Sequence, residues 1–292
     1  MMTPKRFAWL TIIILIGFRS SIAQEEIKFS VSTGSVPVPV LVTRDGLPVN
    51  DLKASDFEVF DNGVRQEIES ASLQLHEPID VILVFDMSGS VGGELLDHLK
   101  NAVQGLLAGF TQKDRAAFIM FNQAVVLGSA LTEDLESIKS ALDRAQPSGN
   151  SSLIDASYAG LILAKKGREL PLIIIFSDGL DTSSWLSSEM VLETAKRSDS
   201  VVYAISTQRR TKESFLNDLT DLTGGNFFEV GSSGDLPSKF LDAIKEFRYR
   251  YRLSFAAQAE SEECWHKLEV RVKSKSATIR TRPGYDSCAS DR

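Results

Sequence analysis

Cysteine and histidine are scarce in this 292-residue sequence, with two and three residues respectively. Zinc-binding arrays built from these residue types, and small domains held together by several disulfides, are therefore excluded. Glycine and proline are too few for collagen or for low-complexity disorder. The length and the hydrophobic fraction of 43% allow a large core, in one big domain or two smaller ones.

Positive charge is in deficit, because 32 Lys and Arg residues face 39 Asp and Glu residues and leave a net charge of −7. A chain of this charge lacks the broad basic surface that binds nucleic acid, so nucleic acid is not an expected partner. An acidic surface also repels anionic lipid and suits cations or a basic partner.

Long apolar runs are absent except for Phe7–Phe18, which follows Lys5 and Arg6 and precedes the small residues Ser21 and Ala23. This order predicts a secretory signal peptide over residues 1–23. The run is shorter than the roughly 20 residues of a transmembrane helix, and an uncleaved anchor is the alternative. Removal of three basic residues with the peptide leaves 29 basic and 39 acidic groups, a net charge of −10. We expect a periplasmic or secreted protein without stable membrane insertion after cleavage.

The two cysteines, Cys264 and Cys288, lie near the C-terminus. Export would permit a disulfide between them. Closing a loop of about 25 residues is worth about 3.5 kcal/mol in the chain-entropy model. The alternative is two unrelated free thiols.

Both flanks of the chain have the period-two pattern of β-strands. In residues 24–78, valines 36, 38, 40 and 42 share one face, Pro37 and Pro39 between them suit an edge strand, and Asn62-Gly63 predicts a hairpin. In residues 247–292, Leu253 and Phe255 share a face, and Arg248, Arg250 and Arg252 are expected to form a solvated face.

Each flank is too small for a stable core of its own, and together they amount to about 100 residues and about seven strands. We therefore predict one β-sandwich that pairs residues 24–78 with residues 247–292, with residues 79–246 inserted between them. The alternative is two separate appendages on the inserted domain.

The inserted domain, residues 79–246, alternates apolar strand-like runs with helical patterns. This alternation predicts an α/β domain with a doubly wound, mostly parallel, Rossmann-like sheet and helices on both faces. The expected strands are Ile79–Phe85, Ala116–Phe121, Leu172–Ser177 and Val201–Ile205, and the expected helices lie near Leu95–Phe110, Leu135–Ala145, Leu153–Lys166, Ser188–Ser198, Ser214–Thr223 and Leu236–Phe247.

Three polar loops lie where strands of this sheet end or helices begin: residues 86–90, 148–152 and 177–179. Ligands of open parallel sheets bind at the carboxyl ends of the strands, so we expect the loops to meet there. They offer carboxylates and hydroxyls without His or Cys, which suits a hard divalent cation, Mg²⁺ before Mn²⁺ or Ca²⁺. Neutral hydroxyl ligands leave the cation able to accept a carboxylate from another molecule.

At these loops the sequence resembles the von Willebrand factor type A family. The resemblance rests on Asp-x-Ser-x-Ser at 86–90, Gly-x-Ser-x-Leu-x-Asp-Ala at 149–156 and Phe-Ser-Asp-Gly at 176–179. It implies a metal-ion-dependent adhesion site (MIDAS) with Ser88, Ser90 and Ser151 as direct ligands and Asp86 and Asp178 bridged mainly by water. The family usually has threonine at the position of Ser151, and Ser152 competes for that role. The flanks look like those of a bacterial exported subfamily.

The resemblance implies an adhesion or interaction module, not an enzyme, whose cation bridges to an acidic group of a protein partner. One alternative is a haloacid-dehalogenase-like phosphatase, but that chemistry needs an aspartate where Ser88 stands. A metal-free structural member of the family is the other alternative. Trp185 follows the third loop, either as a ligand-facing aromatic or as a packed loop residue.

Overall fold

The computed structural model describes residues 35–168, 170–177, 180–207, 214–256, 264–274 and 276–288. The expected signal peptide, residues 1–23, and Asp178 therefore lie outside the described residues. Residues 32–292 form one compact unit. Of the helices in the described ranges, none is both long and apolar enough to cross a membrane.

The centre of the molecule is a six-stranded sheet in the order β11-β10-β9-β6-β7-β8. All neighbours are parallel except β7 and β8. The inner strands are continuous apolar runs because both of their faces are covered. The strands are β6 Asp80–Asp86, β7 Arg115–Phe121, β8 Val125–Thr132, β9 Leu172–Ser177, β10 Val201–Ser206 and β11 Asn226–Glu229.

Six helices cover the two faces of this sheet in the described residues. One core cluster joins one face to α1, α2 and α6, and a second joins the other face to α3, α4 and α5. This arrangement confirms the predicted doubly wound α/β fold. The helices are α1 Glu94–Ala108, α2 Leu135–Asp143, α3 Leu153–Ala164, α4 Ser188–Lys196, α5 Phe215–Leu222 and α6 Leu236–Arg248.

The flanks form two antiparallel sheets, in the orders β14-β1-β12-β5, with β2 beside β1, and β15-β13-β3-β4. Each sheet combines strands from both flanks, and the two sheets share one apolar core. The strands are β1 Ser35–Arg44, β2 Leu47–Pro48, β3 Phe57–Asp61, β4 Val64–Gln66, β5 Ile68–Leu73, β12 Tyr251–Ala256, β13 Trp265–Val272, β14 Thr278–Arg280 and β15 Gly284–Asp286.

Strand β1 differs from the expected edge strand, because it lies between β14 and β12. Its first half, which carries Pro37 and Pro39, pairs with β12 only, so the missing proline N–H groups break no ladder. The free Pro37 carbonyl accepts a hydrogen bond of 2.6 Å from Arg282. A side chain thus replaces a neighbouring strand at that point.

The expectation of a solvated arginine face is wrong for two of the three residues. Arg250 is 0% exposed, and its guanidinium donates to the Tyr203 hydroxyl and to the Gly224 carbonyl. Arg248 is buried and paired with Asp114. Arg250 directly precedes β12 and holds the flanking sheets to the central sheet, whereas Arg248 holds the end of α6 to residues just before β6 and β7. The partners of both arginines lie far away in sequence.

Cys264 and Cys288 form a disulfide with a Cα–Cα distance of 5.1 Å. The bridge joins the start of β13 to the residues just after β15, which are neighbours in the four-stranded sheet. It therefore closes the C-terminal end of the flanking sheets, as the sequence predicted.

Candidate metal centre

Asp86 is the last residue of β6, in the middle of the sheet, and its side chain is 0% exposed. One carboxylate oxygen accepts the Ser88 backbone N–H at 2.8 Å. The other accepts the hydroxyls of Ser151 at 2.9 Å and Ser177 at 3.0 Å. These hydrogen bonds fix the orientation of the carboxylate at the carboxyl end of the strand.

The charge of Asp86 has no basic partner in the part of the chain that the structure describes. The other buried aspartates there are all paired: Asp80 with two arginines, Asp114 with Arg248, and Asp61 with His266. Buried carboxylates are normally paired with a cation, from the protein or from a metal. The surroundings of Asp86 therefore fit a bound cation.

Ser88 and Ser90 follow Asp86 in a short turn that starts at Gly89. Their hydroxyl oxygens lie 3.2 Å apart. Ser88 is buried, whereas Ser90 is exposed. The pair therefore leads from the buried carboxylate to solvent, where an external group can approach.

The second polar loop is held against the first by backbone hydrogen bonds. The Ser148 N–H donates to the Met87 carbonyl at 2.9 Å, and the Gly89 N–H donates to the Gly149 carbonyl at 3.1 Å. Gly149 has a φ of +76°, and a Cβ added there would lie 1.7 Å from the Gln123 side-chain oxygen. Only glycine fits this backbone beside Gln123 without displacement.

Ser151 and Ser152 are both buried, but their hydroxyls point to different partners. The Ser151 hydroxyl donates to Asp86, while the Ser152 hydroxyl bonds to that of Ser183 at 2.9 Å. Of the two serines between which the sequence leaves the ligand position open, Ser151 is therefore the one that contacts Asp86.

Four of the five expected site residues thus meet at one edge of the sheet, namely Asp86, Ser88, Ser90 and Ser151. The fifth, Asp178, lies outside the described residues. Ser177 was missed as a contact of the centre, although strand pairing could have revealed it. β9 and β6 are parallel neighbours in which Phe176 pairs with Phe85. The next residues, Ser177 and Asp86, are the last of their strands. Two parallel strands that end together bring their terminal side chains together.

The donor set is a carboxylate and hydroxyls, without nitrogen or sulfur. Hard divalent cations such as Mg²⁺, Mn²⁺ and Ca²⁺ prefer such oxygen ligands. In the described ranges, the only group of three His, Cys, Asp or Glu side chains close enough to share an ion is Cys264, Asp286 and Cys288. Its two sulfurs are bonded to each other, so they are not thiolate ligands.

Known proteins similar to this chain in sequence include the following two. The Synechocystis sp. protein sll0103 is 28% identical over 106 residues, which cover 35% of this chain and 25% of that protein. Human inter-alpha-trypsin inhibitor heavy chain H2 is 24% identical over 194 residues, which cover 62% of this chain and 20% of that protein. The chain thus spans a quarter or less of these relatives.

A similar solved structure is proximal thread matrix protein 1 (PTMP1) from the mussel byssus, with a zinc-occupied MIDAS motif. It has a TM-score of 0.53 and 18% identity, over 65% of this chain and 50% of that one, so the likeness is one of fold. The family model for the von Willebrand factor type A domain matches residues 80–243, which is more than half of the chain. The three motif loops lie within this range, and the chain belongs to the von Willebrand factor type A domain family.

Proposed function

We propose that this chain is an exported protein-binding module that attaches to its partner through a divalent cation. Asp86, Ser88, Ser90, Ser151 and Asp178 would hold the cation, Mg²⁺ above all. When bound, the cation supplies positive charge that accepts an acidic side chain of the partner. The observation that carries the proposal is the buried Asp86 carboxylate, which has no basic partner among the described residues.

The chain's own residues prepare this centre in two ways. Asp86 is held by three hydrogen bonds, so its carboxylate needs little reorganisation on binding. The serine hydroxyls contribute oxygen without charge, which leaves the cation attractive to an outside carboxylate. Domains of this family are generally interaction modules and not enzymes, and no bond needs to break in this role.

Isothermal titration of the mature protein, residues 24–292, with Mg²⁺, Mn²⁺ and Zn²⁺ tests the cation. Asp86→Asn should abolish the binding heat, and Ser151→Ala should weaken binding at least about 10-fold. Ser152→Ala is the matched control, because this neighbouring hydroxyl is equally buried but contacts Ser183. Binding should also raise the melting temperature of the wild type and not that of Asp86→Asn. No heat and no shift at millimolar cation would overturn the proposal.

Export is the second part of the proposal. It is supported by the charged and apolar pattern of residues 1–23 and by the Cys264–Cys288 disulfide, since such bonds persist in oxidising compartments. N-terminal sequencing of protein recovered from the periplasm or the medium should begin at Gln24. Recovery of the chain only from the cytoplasm, with Met1 retained, would contradict export.

A further inference from the structure

Trp185 is 94% exposed, the highest value for any large apolar side chain in the described residues. It lies in the loop that joins β9 to α4, which also exposes 71% of Leu180. The packed-loop interpretation of Trp185 is therefore wrong. An indole left in water contributes nothing to the core, so its place in the fold calls for another explanation.

Hydrogen bonds hold the backbone of residues 181–186 in this loop, although the indole of Trp185 is exposed. The Asp155 carboxylate, in the first turn of α3, accepts the N–H groups of Trp185 at 3.0 Å and Leu186 at 2.9 Å. The Asp181 carboxylate accepts the Ile154 N–H at 3.1 Å. Asp155 and Asp181 thus fix the loop to the start of α3, so Trp185 is presented on a rigid support.

The same loop is bonded directly to the candidate metal centre. The Ser151 carbonyl accepts the N–H groups of Thr182 at 2.8 Å and Ser183 at 3.0 Å, while the Ser151 hydroxyl donates to Asp86. Trp185 is only three residues beyond Thr182. Three residues span at most about 10 Å, so the Trp185 backbone lies within about that distance of Thr182, which contacts Ser151.

We propose that Trp185 is the apolar anchor of the partner-binding surface around the cation. This inference rests on the proposed function and makes the partner more specific. The partner presents a carboxylate side chain together with an aromatic or large aliphatic side chain within about 10 Å of it, on one exposed segment. The carboxylate meets the cation, and the apolar side chain packs on the indole.

Charge explains why both contacts are needed. Without a cation the centre carries the negative charge of Asp86, which has no basic partner among the described residues and repels an acidic partner, so we expect the indole to need the cation beside it. With the cation the carboxylate is attracted, but that attraction does not distinguish one acidic segment from another. A rigid tryptophan adds large apolar contact area at little entropic cost, which is the usual chemistry of a binding hot spot.

The test selects random peptides displayed on phage with the mature protein in Mg²⁺ and elutes them with a chelator. Eluted peptides should contain Asp or Glu with an aromatic or large aliphatic residue within three positions. Such a peptide should bind Trp185→Ala about 30-fold more weakly than the wild type, as expected for removal of a hot-spot tryptophan. Mg²⁺ affinity, measured by calorimetry, should be the same in both proteins.

Leu47→Ala is the matched control, because Leu47 is 65% exposed in the β1–β2 hairpin of the flanking sheets. Its peptide affinity should equal that of the wild type. Chelator-eluted peptides that bind Trp185→Ala as tightly as the wild type would overturn the anchor and leave the cation bridge intact. A selection without any chelator-eluted peptide would overturn both the anchor and the proposed function.

Discussion

The central strand β6 begins and ends with a buried aspartate, and the two side chains meet opposite surroundings. Asp80 receives Arg115 at 2.7 Å and Arg168 at 2.9 Å, whereas Asp86 receives only hydroxyls and a backbone N–H in the described residues. The ion pairs of Asp80 stabilise the fold by themselves. Because the charge of Asp86 has no ionic partner among these residues, we expect it to lower the stability of the fold unless a cation is present.

Neutralising Asp86 should therefore stabilise the cation-free protein. In chelator, we expect Asp86→Asn to raise the free energy of unfolding by about 1–2 kcal/mol, because the substitution keeps the shape and removes a buried charge that lacks a basic partner in the described part of the chain. Urea denaturation of both proteins measures this difference. With Mg²⁺ the order should reverse, since only the wild type gains binding energy. A less stable Asp86→Asn protein in chelator would contradict the account of the site.

Neutralising Asp80 should have the opposite effect and destabilise the protein, and the size of this effect should depend on pH. Burial raises the pKa of Asp80, but hydrogen bonds and charge from Arg115 and Arg168 outweigh it and hold the pKa below its usual range. Because the pKa of Asp80 is lower in the folded protein than in the unfolded chain, its ion pairs stabilise the fold fully above about pH 4. This stabilisation is lost as the pH falls through the pKa of the folded state. Asp80→Asn should lower the free energy of unfolding by about 3 kcal/mol at neutral pH. This loss is at the low end for broken buried ion pairs, because water reaches both guanidinium groups.

Thermal melts of the wild type and Asp80→Asn between about pH 7 and about pH 3 measure the effect. The difference in stability between the two proteins should shrink at the acid end. A difference that stays constant over this range would show that Asp80 is not the group that titrates.

At the scale of elements, the flanking sheets are attached to the central sheet at the turn after α5. Arg250 reaches the Gly224 carbonyl at 2.6 Å, and the Thr281 backbone passes so close to Gly224 that an added Cβ would lie 2.5 Å from it. Burial raises the pKa of the neighbouring Tyr203, so its hydroxyl stays protonated while it accepts from Arg250. The contact between the flanking sheets and the central sheet thus depends on the absence of a side chain at Gly224 and on the buried Arg250.

Gly224→Ala should weaken the contact between the flanking sheets and the central sheet, and Gly46→Ala provides the control. Both glycines have positive φ, +71° and +77°, but Gly46 has no heavy atom within 4 Å of an added Cβ. Left-handed strain should cost about 1 kcal/mol in each variant. The backbone clash at Gly224 should add about 2 kcal/mol or more. Equal losses in chemical denaturation would show that the close approach of Thr281 does not matter.

The sequence patterns predicted most elements of the central domain but missed two strands of its sheet. β8 is half-exposed along its whole length and has no clean alternation, because it is an edge strand. β11 has only four residues. Helices with one apolar face and strands buried on both faces were predicted within a few residues, because their periodicity is imposed locally by the core.

For the whole molecule, the shared core of the flanks predicts how fragments behave. A fragment of residues 77–250 contains the complete central sheet and α6, and it should fold alone. Fragments 24–76 and 251–292 should not, since valines of β1 pack on Leu253 and Phe255 of β12. Circular dichroism and thermal melts of the fragments measure this. A cooperative transition in either isolated flank would favour two separate appendages over a split domain.

Local pattern was enough to determine that this chain alternates strands and helices, that its flanks are β-structured, and that polar residues at the ends of β6 and β9 and before α3 meet at one sheet edge. These features follow from periodicity and from the rule that parallel strands end together. The tertiary structure alone decided that Ser151 and not Ser152 contacts Asp86, that Arg250 is buried, and that Trp185 is exposed. Each of these depends on partners distant in sequence, and no local pattern specifies which distant groups will supply or withhold a contact.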